Sequence, residues 1–100
     1  MNLITPTPLK KIDEGLLAEL EQYAGLMFTK KEIAEILEFS LSEFQEILDH
    51  DDDAFKRFQR GRLKKDAEVR KSIFDLAANG SSPAQSFAWK LIENAKMDDL

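Results

Sequence analysis

Apolar side chains recur every three or four positions in five blocks of this 100-residue chain, and nowhere does an apolar–polar alternation run for the length of a strand. The pattern predicts an all-α protein of five helices. Before the first block, Thr5-Pro6-Thr7-Pro8 can neither continue a helix nor pair in a sheet, because proline lacks the donor and pushes the preceding residue to extended backbone. Residues 1–12 are therefore read as a flexible arm.

Asp13 can cap a first helix carrying Leu16, Leu17, Leu20, Tyr23 and Ala24, with Gly25 as its expected stop. Thr29-Lys30-Lys31-Glu32 has the capping-box pattern and opens a short helix with Ile33, Ala34, Ile36 and Leu37 on its expected buried side. Only Glu38 and Phe39 separate it from Ser40-Leu41-Ser42-Glu43, a second capping box, followed by Phe44, Ile47 and Leu48. Two short helices thus meet across a tight turn. Asp49-His50-Asp51-Asp52-Asp53 breaks the apolar rhythm and sets carboxylates where the next helix dipole favours them.

From about Asp52 to Ala78 no proline intervenes, which predicts a helix about 40 Å long. Phe55, Phe58, Val69, Ile73, Leu76 and Ala77 mark its expected core side, and Leu63 with Phe74 form a second apolar line. Gly61 inside this helix costs about 1 kcal/mol relative to alanine, so its presence points to close backbone contact or a kink. Asn79-Gly80 ends the helix in left-handed geometry; Ser82 is then the expected cap, with Pro83 at the first position of a last helix carrying Phe87, Ala88, Leu91, Ile92 and Ala95 to about Lys96. The expected organisation is an arm (1–12), a helix-turn-helix bundle (13–50), and a hairpin of a long and a shorter antiparallel helix (51–96) that oligomerises and packs with the bundle as one unit.

Composition narrows the function classes. Apolar residues make up 43% of the chain and charged residues 33%, the balance of an ordinary globular domain, and no apolar run approaches the roughly 18 residues needed to cross a bilayer. The N-terminal residues lack the charge and apolar core of a secretory signal, and there is no cysteine, so a cytoplasmic protein is expected. A single histidine, His50, leaves neither a zinc site nor a histidine-based catalytic pair within one chain. The four glycines are too scattered for a phosphate loop. The aspartate run fails the calcium-loop pattern, with Ala54 where glycine is needed and Arg60 where the bidentate glutamate belongs. No enzyme, metal or cofactor is expected.

The net charge of −5 hides an uneven distribution: residues 1–50 hold four Lys or Arg against ten Asp or Glu, whereas Lys56 to Lys71 holds eight basic residues against Asp66 and Glu68. Lys56, Arg60 and Lys64 recur at four-residue spacing, on one face about 12 Å long, and are the best candidates for phosphate contact. Lys30 and Lys31, with Lys10 and Lys11 of the arm, could add to it from the start of the second helix.

The segment Ile33-Ala34-Glu35-Ile36-Leu37-Glu38-Phe39-Ser40 followed by Phe44 and Ile47-Leu48 resembles the helix-turn-helix of the homeodomain-like superfamily, which usually has glycine where Glu38 stands. With the Asp53 to Arg62 stretch, Val69 to Ala77, Gly80, Phe87 and Leu91, residues 26–95 resemble the small terminase subunits of tailed phages and prophages. The resemblance implies double-stranded DNA recognition for packaging, a homo-oligomer, and contact with the large terminase subunit. Within the third helix only Ser42 and Gln45 are ordinary base readers, among Glu43, Glu46 and Asp49. Two alternatives therefore stand: a protein-interaction adaptor that keeps the helix-turn-helix without binding DNA, and a small transcription regulator. Leu63, Phe74 and Trp89 are the candidate oligomer contacts.

Overall fold

The computed structural model describes residues 12–100; residues 1–11 of the arm, with Lys10 and Lys11, lie outside them, and Ile12, expected as its last residue, packs half-buried against the core. The protein is all-helical among the described residues, with five helices: α1 (Glu14–Gly25), α2 (Lys30–Ile36), α3 (Leu41–His50), α4 (Asp52–Ala78) and α5 (Ser82–Asp98). The chain divides into two compact units, one ending at Leu63 and the other running from Lys64 to Leu100, so the boundary falls inside α4 and not at residue 50. The first turns of α4 belong with α1 to α3 because Ala54 and Gly61 are buried there.

In the first unit the helix starts follow from local side-chain chemistry. The Asp13 carboxylate accepts the Leu16 N–H at 2.9 Å, and both capping boxes close: Glu32 accepts the Thr29 N–H and Glu43 the Ser40 N–H, each at 2.9 Å. Asp51 accepts the N–H groups of Asp53 and Ala54 at the head of α4. Phe44, Leu20 and Ile33 are the largest fully buried side chains, joined by Leu17, Ala24, Ala34, Leu37, Phe39, Ile47, Leu48 and Ala54.

α1 ends at Gly25, as expected, with Leu26 as its C-cap, but the left-handed conformation is taken by Met27 at φ 67° and not by the glycine. Phe28 N–H then bonds Tyr23 O at 3.2 Å and Met27 N–H bonds Ala24 O at 3.0 Å, a Schellman motif in which the Phe28 ring meets Tyr23 edge-on at 5.9 Å. Space at 25 is limited as well: a Cβ there would come within 3.2 Å of Gly61 O, a tight contact. α2 ends in the same way, with Glu38 left-handed at φ 62° and Phe39 N–H bonding Ala34 O at 2.8 Å. Ile36, expected on the buried side of α2, is 42% exposed.

Gly61 is the tightest point. A Cβ at this position would sit 2.2 Å from the Glu21 carbonyl oxygen and 2.9 Å from Ala24 Cβ, so α1 and α4 approach backbone to backbone. Two arginines brace the crossing. Arg57 bridges Glu14 at 2.9 Å and Glu21 at 2.7 Å, and both carboxylates hold its guanidinium pKa above the ordinary value. Arg62 lies over the Phe58 ring at 4.8 Å and donates to Phe28 O at 2.9 Å and Ala24 O at 3.2 Å, satisfying carbonyls around the end of α1.

In the second unit, Gly80 is left-handed at φ 99°, and Ser81 N–H bonds Leu76 O while Gly80 N–H bonds Ala77 O, closing α4 in a third Schellman motif. The cap of α5 is Ser81, one residue earlier than expected, because its hydroxyl accepts the Ala84 N–H. The Gln85 side chain donates back to Ala77 O at 3.1 Å. Only Ala84 and Ala88 are buried in this unit. Val69, Leu76 and Phe87, expected to face a core, are exposed, as is Phe55 in the first unit.

Candidate nucleic-acid interface

The first unit positions α3 by its apolar side. Phe44, Ile47 and Leu48 are buried, which leaves Ser42, Glu46 and Asp49 on the exposed side and Leu41 at 48% exposure on its flank. Gln45 is half-buried, and its Nε2 donates to Asp49 Oδ1 at 2.9 Å. Of the two base-reading candidates, Ser42 is thus exposed and Gln45 is already engaged along its own helix. The outward surface of α3 carries the carboxylates of Glu46 and Asp49, which repel phosphate.

At the start of α2, Lys30 and Lys31 are exposed, and Lys30 Nζ lies 5.7 Å from the centre of the Phe58 ring. The Glu32 carboxylate occupies this helix start: the Thr29 backbone N–H it accepts, and then the Thr29 side chain, lower its pKa. An incoming phosphate would compete with it for the same positive end. Lys30 and Lys31 therefore act as point charges beside the site and not as part of an open anion cradle.

The eight-residue basic island divides by function. Arg57 and Arg62 are spent on the α1 crossing, and Lys65 pairs with Glu68 at 2.7 Å. Lys56 and Arg60 are exposed. Successive helical residues turn by about 100°, so Lys56 lies about 160° around α4 from buried Ala54, and Arg60 about 100° from buried Gly61. Both face away from the core of the first unit. Lys64, the third member of the expected line, belongs to the second unit and is exposed there.

The structural duty of Arg57 and Arg62 was not visible in the charge pattern, because their partners lie 34 to 43 residues away. The signal beside Arg62 was Gly61, whose cost inside a helix marked a crossing. Among the described residues, no group of three or more His, Asp or Glu side chains is arranged to hold a metal ion, and no helix is long and apolar enough to cross a membrane. Comparison with protein-family models, curated proteins and solved structures finds no match.

The candidate oligomer residues are all exposed: Leu63 at 63%, Phe74 at 41% and Trp89 at 64%. Leu63 closes the first unit, whereas Phe74 and Trp89 belong to the second. Trp89 lies about 100° around α5 from Ala88 and about 140° from Ala84, on the side turned away from those buried alanines.

Proposed function

We propose that this chain is a DNA-binding protein, not an enzyme, that engages double-stranded DNA as a homo-oligomer, in the manner of a phage or prophage terminase small subunit. The observation that carries the reading is the α2–α3 pair: two capped helices joined through left-handed Glu38, with one side of α3 uncovered and the cations Lys56 and Arg60 exposed on α4. The packaging role rests on the resemblance over residues 26–95, and a large terminase subunit is the partner it implies. Cations outside α3 supply the attraction, so binding is salt-sensitive and tolerant of sequence.

Fluorescence anisotropy with a labelled duplex, titrated with salt, tests the proposal. Lys56→Glu, Arg60→Glu and Lys64→Glu should each weaken binding and flatten the dependence of log affinity on log salt by about one unit or more. Ser42→Ala should leave the slope unchanged. Equal affinity and slope in all three charge reversals would reject this DNA surface. Absence of any binding at low salt would favour the adaptor reading, which the carboxylates on α3 and the Gln45–Asp49 bond support.

A further inference from the structure

From Glu32 to Phe55 the chain carries nine Asp or Glu and no Lys or Arg, a stretch that spans most of α2, all of α3 and the head of α4. Three of these carboxylates have a local duty at helix starts: Glu32 accepts the Thr29 N–H, Glu43 the Ser40 N–H, and Asp51 those of Asp53 and Ala54. Glu46 and Asp49 cap nothing. They are exposed one turn apart on the side of α3 turned away from buried Phe44, Ile47 and Leu48.

Apolar surface adjoins this strip. Ile36 is the last residue of α2 and Leu41 the first of α3, so the corner made by left-handed Glu38 presents an aliphatic side chain from each helix, 42% and 48% exposed. Leu41 and Gln45, four residues apart, line the flank of α3 beside the Ser42, Glu46 and Asp49 side. The outer face of α3 is therefore amphipathic in its own right, about 12 Å long from Leu41 to Asp49, with an aliphatic edge and an acidic edge.

Charge decides what such a face accepts. Phosphate of a nucleic acid or of an anionic lipid surface is repelled by it, and a second copy presenting the same face meets its own charge. A metal ion has no seat there, since no group of three or more His, Asp or Glu side chains among the described residues is arranged to hold one. The complementary object is a polypeptide with cations on one edge and aliphatic side chains on the other.

We propose that the outer face of α3, with Ile36 and Leu41 at its corner, docks a basic amphipathic segment of another protein. Glu46 and Asp49 meet its Lys or Arg side chains, and Leu41 with Ile36 seats an aliphatic anchor. The proposal does not rest on the DNA reading, whose cations lie on α4, and no duplex enters its test.

Fluorescence anisotropy with the full chain uses a labelled synthetic peptide of about 16 residues carrying Lys and Leu at helical spacing. Two companion peptides replace every Leu by Ser or every Lys by Glu. The Lys/Leu peptide should bind in a salt-sensitive way, the Lys/Ser peptide about tenfold more weakly, and the Glu/Leu peptide not at all. Glu46→Lys with Asp49→Lys should weaken binding of the Lys/Leu peptide by about tenfold, and Leu41→Ser should reduce it to about the level of the Lys/Ser peptide. Glu46→Gln with Asp49→Asn, which keeps an acceptor for Gln45 Nε2, should weaken it by about threefold and serves if charge reversal disturbs α3. Glu93→Lys with Asp98→Lys makes the same change of net charge at exposed positions of the second unit and should leave affinity within about twofold. Wild-type affinity in the folded α3 variants, or an equal loss in the Glu93 and Asp98 variant, would overturn the proposal. Sedimentation of the chain alone gives the remaining outcome: self-association abolished by the α3 substitutions would assign the face to a second copy and overturn it as well.

Discussion

Replacing Gly61 by alanine sets two effects of opposite sign against each other. Inside an exposed helix the change should stabilise by about 1 kcal/mol, because alanine loses less conformational freedom on folding. Here the added methyl would stand 2.2 Å from the Glu21 carbonyl oxygen and 2.9 Å from Ala24 Cβ. Neither obstacle can swing aside, since one is backbone and the other is a Cβ. Relieving the clash requires α4 to retreat from α1 by about 1 Å, which loosens close packing across the crossing and draws Arg57 and Arg62 off their partners. Overpacking of this kind costs about 1–3 kcal/mol, and the disturbed arginine contacts put the net result at about 2 kcal/mol of destabilisation. Gly15→Ala is the internal control: its Cβ would meet only the Asp13 side chain at 3.4 Å, so the propensity gain should survive in part. Urea unfolding followed by circular dichroism measures both. A Gly61→Ala chain as stable as Gly15→Ala, or more so, would refute the backbone-to-backbone approach.

Arg62→Ala should cost about 2 kcal/mol in the same assay, through loss of its hydrogen bonds to Phe28 O and Ala24 O and of the stack on Phe58, and Arg62→Lys should recover little because an ammonium cannot reproduce the planar fork. Glu38→Gly relieves a left-handed residue that costs about 1–2 kcal/mol and gives back part of that as unfolded-chain entropy, so a gain of about 0.5–1 kcal/mol is expected; a loss would mean that the Glu38 side chain contributes more than its backbone costs. The pKa of Glu32 is lowered in the folded chain by the Thr29 N–H, so its contribution is fully present above the unfolded value of about 4.3 and fades as pH falls through the folded value. Unfolding midpoints across that acid range should fall less steeply in Glu32→Gln than in the wild type, and identical slopes would count against the carboxylate as a cap acceptor.

The features legible in the sequence are those whose cause is local. Thr29-x-x-Glu32 and Ser40-x-x-Glu43 close as capping boxes because both partners sit within one helical turn. The same holds for Asp13 and for Gly80. The misreadings share a different cause. Gly25 is the last residue of α1, but it is not the left-handed residue that glycine's preference suggests, and the limited space at its Cβ position comes from Gly61, thirty-six positions along the chain. Met27 took the left-handed turn instead, and the Tyr23–Phe28 ring contact is available to hold it there. The apolar positions of α4 were read as one core side, but α4 crosses from one compact unit into the other, so no single side is buried along its length.

The candidate interface was legible to a lesser degree for the same physical reason. Charge density along a segment predicts the field it creates but not which members are free to meet phosphate. In the stretch from Lys56 to Lys65, Arg57 turns to carboxylates of α1, Arg62 to carbonyls at and just after the end of α1, and Lys65 to Glu68. Lys56 and Arg60 are left outward by the register that Ala54 and Gly61 impose on the helix. Two small buried residues, Ala54 and Gly61, therefore determine which cations of this stretch are presented to solvent. If the chain binds DNA as proposed, a substitution that rotates α4 about its axis should alter that affinity in the anisotropy assay without touching a single charge.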